Sequence, residues 1–272
     1  MRLFCVPALI ILLLVFTPQF SIAQECDFSY WRTYKGTKIY RHKSHDAYYY
    51  VTSHAAVDAD GAPNSYHPDD VGKHCTDDIH IGLDCPANAG YPNTGWWSSV
   101  LVTDPSNPSK PYVQSDGEYA GFFISKTWLA DTSINDSTNV SKYVNSSEVP
   151  YIVFPSNDFS KLSGTGYRGD VGFAQHLENG KSVSFIVADQ GGGSDAKLGE
   201  ASISFFEKLG GNNIDPRNGN GVDRGKTRFV VFPNSRKQVN PKWPRTNKSI
   251  TEQVNTLLST IGGIAAIDSC PM

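Results

Sequence analysis

The residues that decide the fold most clearly are 182–211, which read SVSFIVADQGGGSDAKLGEASISFFEKLGG. The apolar run 182–188 is typical of a buried β-strand, and Asp189 follows its end. A flexible glycine-rich loop comes next, and Glu200 then stands in the first turn of an amphipathic helix predicted from Gly199 to Leu209. Two glycines end that helix. We expect the loop to fold back and bring Asp189 and Glu200 to opposite walls of one cleft.

A carboxyl pair of this kind is what hydrolysis of a glycosidic bond requires. One carboxyl must be protonated to assist the leaving oxygen, and the other must be ionised to activate water or attack the sugar. The N-terminus of a helix favours the ionised form of Glu200, whereas desolvation at the end of a buried strand favours neutral Asp189. We therefore expect Asp189 to be the acid and Glu200 the base. The structural alternative is a turn-forming Asp and a Glu that only interacts with the helix dipole.

A second segment, residues 57–70, places four carboxylates among turn residues in the run VDADGAPNSYHPDD. Acidic side chains in such a turn can hold the ammonium groups of a cationic sugar chain. The alternatives are a solvated turn and a calcium loop, although the EF-hand spacing and its twelfth ligand are missing. The candidate substrate-binding residues of this segment are Asp58, Asp60, Asn64, Tyr66 and Asp69.

Three further candidates for substrate binding lie elsewhere in the chain. Tyr91, Trp96 and Trp97 share a loop rich in Gly, Pro and Asn, and exposed indoles stack on sugar faces. We take Trp97 as the candidate, although a Trp pair is more often part of a core. Lys126 follows one predicted strand and Asp170 opens another, so each is placed either to point into a cleft or to be solvated.

The rest of the chain predicts a mainly β protein with few helices. Short runs of β-branched and aromatic residues are broken by Gly, Pro, Asn and Asp. A second helix is predicted from Thr251 to Ile261, with Ser249 and Glu252 as its capping box. Many strands with few helices favour a compact β-barrel with helices packed outside. The predicted strands are Thr37–His42, Ala47–Thr52, Ser99–Thr103, Tyr119–Ser125, Tyr151–Phe154, Val171–His176, Ser182–Ala188 and Thr227–Phe232.

The N-terminal residues and the net charge bear on the compartment. A basic start followed by the apolar run Cys5–Phe20 predicts a signal peptide over residues 1–23 and one catalytic domain over residues 24–272. A membrane anchor is the alternative, but the run is short and contains two prolines. A net charge of −3 excludes a generic nucleic-acid binder. We expect a secreted, soluble monomer, with no nucleic acid and no membrane as partner.

The cysteines predict two disulfides, because four remain after signal cleavage and the compartment is oxidising. Three pairings are possible; we favour Cys75–Cys85, which closes a local loop, and Cys26–Cys270, which ties the chain ends together. Metal binding through His74 and His80 is the alternative, but no CxxC pair accompanies them. HExxH, P-loop and GxGxxG patterns are missing, so we expect no metal and no cofactor. Sequons that predict glycosylation occur at Asn135, Asn139, Asn145 and Asn247.

Four segments together resemble the chitosanases of glycoside hydrolase family 75, known from fungi and bacteria. They are residues 58–68, 150–155, 188–189 with the glycine-rich loop, and 199–202. The resemblance runs from about Ala55 to Pro233, whereas the run Gln190–Ser194 departs from the family.

The resemblance implies endo-hydrolysis of chitosan, a chain of β-1,4-linked glucosamine, with inversion at the anomeric carbon. It also implies a six-stranded double-psi-like β-barrel, and it places the essential carboxylates at Asp189 and Glu200. Two alternative functions stay open, a non-catalytic expansin-like wall-loosening or glycan-binding module and a hydrolase of chitin or peptidoglycan.

Overall fold

The structure is a computed structural model that describes residues 26–76, 81–155, 158–222 and 224–271. The predicted signal peptide, residues 1–23, lies outside these ranges. The strands are β1 (Phe28–Tyr34), β2 (Thr37–His42), β3 (Tyr48–Thr52), β4 (Val57–Asp58), β5 (Thr103–Asp104), β6 (Asn107–Pro111), β7 (Tyr151–Pro155), β8 (Val171–His176), β9 (Ser182–Gly191), β10 (Ala201–Ser202) and β11 (Thr227–Phe232). The α-helices are α1 (Trp97–Val100), α2 (Asp158–Lys161), α3 (Ile203–Lys208), α4 (Asn247–Thr260) and α5 (Gly263–Asp268).

Nine of these strands form one mixed sheet in the order β1-β2-β3-β11-β8-β9-β7-β10-β4. The pairs β7–β9 and β10–β4 are parallel, and the other neighbours are antiparallel. A mainly β protein with few helices is therefore confirmed. The sheet is not closed, because β1 and β4 are its two edges, so the six-stranded double-psi-like barrel is not confirmed.

Apolar side chains cover both faces of the sheet. In β11, Phe229 belongs to the core on one face and Val230 to the core on the other. On the first face, α2 and α3 add Phe159 and Phe205, while α4 packs Val254 against the second face. Burial on both faces explains why the central strands are continuous apolar runs without a polar alternation.

The first predicted helix begins later than the sequence indicates. The helix α3 starts at Ile203, and Ser202 is its N-cap, since its hydroxyl accepts from the N–H of Phe205 at 3.2 Å. The two residues before it form β10, which pairs with both β4 and β7. Glu200 therefore precedes a strand and does not lie in a first helical turn, so that prediction was wrong. Strand pairing between distant segments overrides the local helical pattern here.

The second predicted helix has the expected buried face but a different start. The helix α4 begins at Asn247, and Thr246 is its N-cap, accepting from the N–H of Ser249 at 3.1 Å. The capping box predicted from Ser249 was therefore wrong. Val254 and Leu258 are buried, as the apolar periodicity indicates.

Two predicted strands are not strands in the structure. Ser99 and Val100 lie in α1, Leu101 forms only an isolated bridge, and Thr103 belongs to the two-residue strand β5. Residues 119–125 form turns with isolated bridges at Phe123 and Ser125. Both segments are apolar because they pack in a small core around Tyr66. Burial without regular pairing produces the same composition as a short strand.

Both predicted disulfides are present. Cys26–Cys270 joins the two ends of the described chain with a Cα–Cα distance of 4.9 Å, and Cys75–Cys85 closes a local loop with a Cα–Cα distance of 5.4 Å. Among the described residues, no helix combines the length and the apolar character needed to cross a bilayer.

Candidate active site

Five carboxyl groups line one cleft of about 850 Å³. The cleft opens where the ends of β4, β7, β9 and β10 meet, and part of the glycine-rich loop forms its wall. Four of these side chains were predicted from the sequence as catalytic or substrate-binding residues, and one was missed. The five are Asp58, Asp60, Asp84, Asp189 and Glu200.

Asp189 lies inside β9, which extends to Gly191, and not after the strand as predicted. The register between β7 and β9 shifts by one residue before the Val153–Asp189 pair, and Ala188 is left without a partner on β7. Such a bulge bends the strand and changes the direction of the side chains that follow. Oδ1 of Asp189 accepts from the N–H groups of Trp128 at 2.9 Å and Gln190 at 2.7 Å, which fixes the carboxyl at the cleft wall.

Glu200 faces the same cleft from the other side of β7. Its backbone carbonyl accepts from the N–H of Val153 at 3.0 Å, and Val153 pairs with Asp189 on its opposite side. Since neighbouring strands are about 4.8 Å apart, the two backbones are separated by about 10 Å. Gly199 makes this position possible, because a Cβ there would lie 2.2 Å from the carbonyl oxygen of His54, at a φ of +118°.

The acidic turn after β4 contributes the floor of the cleft. Asp58 Oδ1 accepts from the N–H of Asp60 at 2.8 Å. The hydroxyl of Tyr66 donates to Asp60 Oδ1 at 3.0 Å, and the hydroxyl of Tyr151 donates to the Asp60 carbonyl at 2.9 Å. These residues are buried and contact one another, so the alternative interpretation as a solvated turn does not apply to the first half of the segment.

Asp84 is the carboxyl that sequence reasoning missed. It is 5% exposed and accepts from the N–H of Cys85 at 2.6 Å and from Nδ2 of Asn88 at 2.7 Å. The disulfide Cys75–Cys85 anchors the neighbouring residue. Nothing in the local pattern distinguishes Asp84 from a loop aspartate, and only its position beside a cysteine predicted to form a disulfide gave a signal.

Burial and mutual repulsion hold these carboxyl groups towards their neutral forms. Burial raises the pKa of Asp58 to about 6 and that of Asp84 to about 7. Burial, with the charges of Asp58 and Asp84, raises the pKa of Glu200 to about 8. Burial and the charge of Asp58 raise the pKa values of Asp60 and Asp189 well above the usual range. Of Asp58, Asp84 and Glu200, Asp58 therefore ionises at the lowest pH.

Three of these residues also meet the spacing of a cation site. Carboxylate oxygens of Asp58, Asp60 and Asp189 lie within 4.8 Å of one another. Three carboxyl groups at this spacing are not all ionised without a compensating positive charge. A metal ion or the ammonium group of a ligand would each supply that charge.

Lys126 lines the cleft, but its ammonium group is already engaged. Nζ donates to the carbonyl of Ser98 at 2.6 Å, and the backbone N–H of Lys126 donates to the carbonyl of Val100 at 2.7 Å. Burial lowers the pKa of Lys126, and the nearby charge of Asp60 opposes this shift. These contacts tie α1 to the cleft wall, so Lys126 positions that turn.

The aromatic candidate on α1 was assigned to the wrong neighbour. Trp97 packs edge-on against Tyr91, with ring centroids 5.6 Å apart, and belongs to a small core. Trp96, the residue before it, lines the cleft and is 50% exposed. The sequence places both indoles in the same loop and does not determine which one faces the cleft.

Three other predicted binding residues lie outside the cleft. Asp170 is fully buried, accepts from the N–H of Tyr167 at 2.8 Å, and forms an ion pair with Arg236 at 2.9 Å. It therefore has a structural role. Asp69 is exposed on a turn of 3₁₀ helix and Asn64 is partly buried, and neither side chain lines the cleft.

Models of known protein families and the sequences of curated proteins both give no match to this chain.

Proposed function

We propose that this protein is a secreted chitosanase, an endo-acting glycoside hydrolase that cleaves β-1,4 bonds between glucosamine units with inversion. The observation that carries the proposal is the placement of Asp189 and Glu200 on opposite sides of β7 in one acidic cleft. Their backbone separation of about 10 Å is compatible with the roughly 6.5–9.5 Å between carboxyl groups that inverting enzymes require.

Asp189 is suited to the role of general acid. Burial and the neighbouring charge of Asp58 keep it protonated, which is the form that donates to a leaving oxygen. Its Oδ1 is held by two backbone N–H groups, so the carboxyl has a fixed orientation. The acid therefore carries its proton before the substrate binds.

Glu200 is assigned as the base, for a different reason from the one the sequence suggested. No helix terminus favours its ionised form, and its pKa of about 8 leaves it mostly protonated at neutral pH in the empty cleft. An ammonium group bound nearby favours the carboxylate. A glucosamine chain thus ionises the base as it binds, which a neutral polymer does not do.

The charge of the cleft favours chitosan over chitin and other uncharged glycans. The five carboxyl groups of the cleft can ionise and pair with ammonium groups as a polycation binds, and such ion pairs weaken with added salt. The family resemblance of the sequence supports the same substrate and implies a double-psi-like barrel. Export is expected from the signal-peptide pattern of residues 1–23. The parallel pairs β7–β9 and β10–β4 within the mixed sheet are compatible with that barrel type.

The proposal is tested by chitosan hydrolysis with wild type, Asp189→Asn and Glu200→Gln. We expect each variant to lose about 10²–10⁴-fold in kcat, since general acid–base catalysis contributes that much. Asp69→Asn is the matched control, because Asp69 is an exposed carboxylate outside the cleft. Normal activity in either cleft variant removes that residue from the mechanism.

The alternative functions give different results in the same assay. A non-catalytic wall-loosening module releases no reducing ends from any polymer. A chitin or peptidoglycan hydrolase prefers acetylated substrate, so fully and partly deacetylated chitosans are compared. The anomer released first, followed by NMR, establishes whether the reaction inverts.

A further inference from the structure

Trp96 is the one large, exposed apolar side chain in the described part of the chain that lines the carboxyl cleft. The others of this kind are Tyr30, Ile81, Val113, Tyr167 and Ile264, and none of them is a cleft-lining residue. Trp96 is 50% exposed. A flat apolar ring at the rim of a polar cleft is a surface that a ligand bound in the cleft can cover.

The indole has a fixed position because it packs on bare backbone. A Cβ at Gly90 would lie 2.7 Å from both Cε2 and Cζ2 of Trp96, so only glycine lets the ring approach this closely. Thr94 keeps the loop in place, since its N–H and its hydroxyl both donate to the Gly90 carbonyl, at 3.0 and 2.9 Å. One side of the ring is covered by the loop and another is open.

The residue is also fixed relative to the carboxyl groups. The carbonyl of Trp96 accepts from the N–H and the hydroxyl of Ser99, at 2.8 and 2.7 Å, which closes the turn of α1. The ammonium group of Lys126 holds the next turn carbonyl, at Ser98, to the cleft wall. The indole therefore does not need to be ordered when a ligand binds, which lowers the entropic cost of association.

We propose that Trp96 is a stacking platform for one pyranose ring of the substrate chain, at a subsite beyond the catalytic carboxyl groups. This inference rests on the proposed function, because it names a subsite of the same cleft. The apolar C–H face of a β-linked sugar covers the open side of the indole. A protonated 2-amino group adds a cation–π attraction that an acetylated sugar lacks.

The test measures the binding of a glucosamine hexamer by calorimetry in the Asp189→Asn background, which prevents cleavage. We expect Trp96→Ala to weaken hexamer binding on the order of tenfold and Trp96→Phe to retain most of it. Tyr30→Ala is the matched control, because Tyr30 is an exposed aromatic residue outside the cleft.

The inference is overturned if a folded Trp96→Ala variant binds the hexamer as tightly as the Asp189→Asn parent does. Hexamers of N-acetylglucosamine and of glucose separate this outcome from failure of the proposed function. If one of those binds and depends on Trp96 while chitosan is not cleaved, the platform stands and the chitosanase proposal fails. If the wild-type chain binds none of the three hexamers, both are wrong.

Discussion

At the scale of single residues, the state of charge of the cleft decides how it works. Asp58, Asp84 and Glu200 have pKa values of about 6, 7 and 8, and the pKa values of Asp60 and Asp189 are also raised well above their usual range. Burial is the largest cause in every case. The cleft carboxyl groups therefore remain largely protonated in the free protein, and a bound polycation favours the release of some of these protons.

Proton release on binding is a measurable consequence. Slightly below pH 6, most of the cleft carboxyl groups are protonated and the amines of glucosamine carry their charge. We expect the Asp189→Asn variant to release protons when it binds a glucosamine hexamer. The positive charges of the hexamer lower the pKa values of the remaining carboxyl groups. Calorimetry in two buffers with different heats of ionisation measures the number released.

The matched comparison adds Glu200→Gln to the Asp189→Asn variant, which removes one carboxyl group that can ionise. We expect the number of protons released to fall by a measurable fraction in that double variant. Equal heats in the two buffers would mean that binding leaves the carboxyl groups as they are, and Glu200 would then need another source of ionisation.

At the scale of elements, the loop from Asp70 to Trp96 contributes side chains to the cleft, among them Asp84 and Trp96. Burial opposes ionisation of Asp70, but the N–H groups of Gly82 and Ile81 and the guanidinium of Arg217 outweigh it and hold the pKa of Asp70 below its usual value. The ion pair with Arg217 measures 2.7 Å and is buried. Together with Cys75–Cys85, it fixes the loop that presents Asp84.

Removing each disulfide is expected to have a different effect. In the chain-entropy model, opening Cys26–Cys270 costs about 5 kcal/mol and opening the short Cys75–Cys85 loop about 3 kcal/mol. We expect the Cys75→Ser/Cys85→Ser variant to lose activity in its folded state, because Asp84 and the Trp96 loop lose their anchor. Cys26→Ser/Cys270→Ser should lose more stability and keep its activity per folded molecule.

Denaturant titration and chitosan hydrolysis at low temperature separate the two effects. Full activity in the folded Cys75→Ser/Cys85→Ser variant would show that hydrogen bonds alone hold the loop. A larger loss of activity in the other variant would contradict the assignment of the local disulfide to the cleft.

Elements also show why the sequence predicted part of the structure and not the rest. The strands Thr37–His42, Val171–His176 and Thr227–Phe232 were predicted with their observed bounds, because each is a continuous β-prone run with turn residues at both ends. The short strands β4 and β10 were missed, since two residues carry no periodicity and depend on pairing with distant segments. Missing β10 produced the wrong environment for Glu200.

The candidate site divides in the same way. Asp58, Asp60, Asp189 and Glu200 were found because their segments carry recognisable patterns and a family resemblance. Asp84 enters the cleft only through a folded loop, which no local pattern predicts. The choice between two adjacent tryptophans depends on the direction of a single helical turn, and that direction is set by Lys126.

At the scale of the whole molecule, the cleft makes folding stability depend on pH. Asp58, Asp84 and Glu200 have pKa values of 3.8, 3.8 and 4.5 when unperturbed, and about 6, 7 and 8 in the folded protein. Between about pH 4 and pH 8 the folded state therefore binds more protons than the unfolded state. A difference of this sign means that stability is greatest at the acidic end of the window and falls as the pH rises.

We expect the unfolding midpoint to decrease steadily from pH 4 to pH 8 in calorimetric scans of the wild type. Each 1 kcal/mol lost lowers the midpoint by about 2–4 °C in a protein of this size. Glu200→Gln should flatten the upper part of the profile and unfold at a higher temperature than wild type at pH 8, because it removes a charge that is partly buried in the cleft and keeps the side chain's shape. Asp69→Asn, an exposed control, should follow the wild-type curve.

A midpoint that rises over this window, or a Glu200→Gln variant that is less stable at pH 8, would mean that the cleft carboxyl groups ionise freely in the folded protein. The electrostatic basis for separating the acid from the base would then be lost.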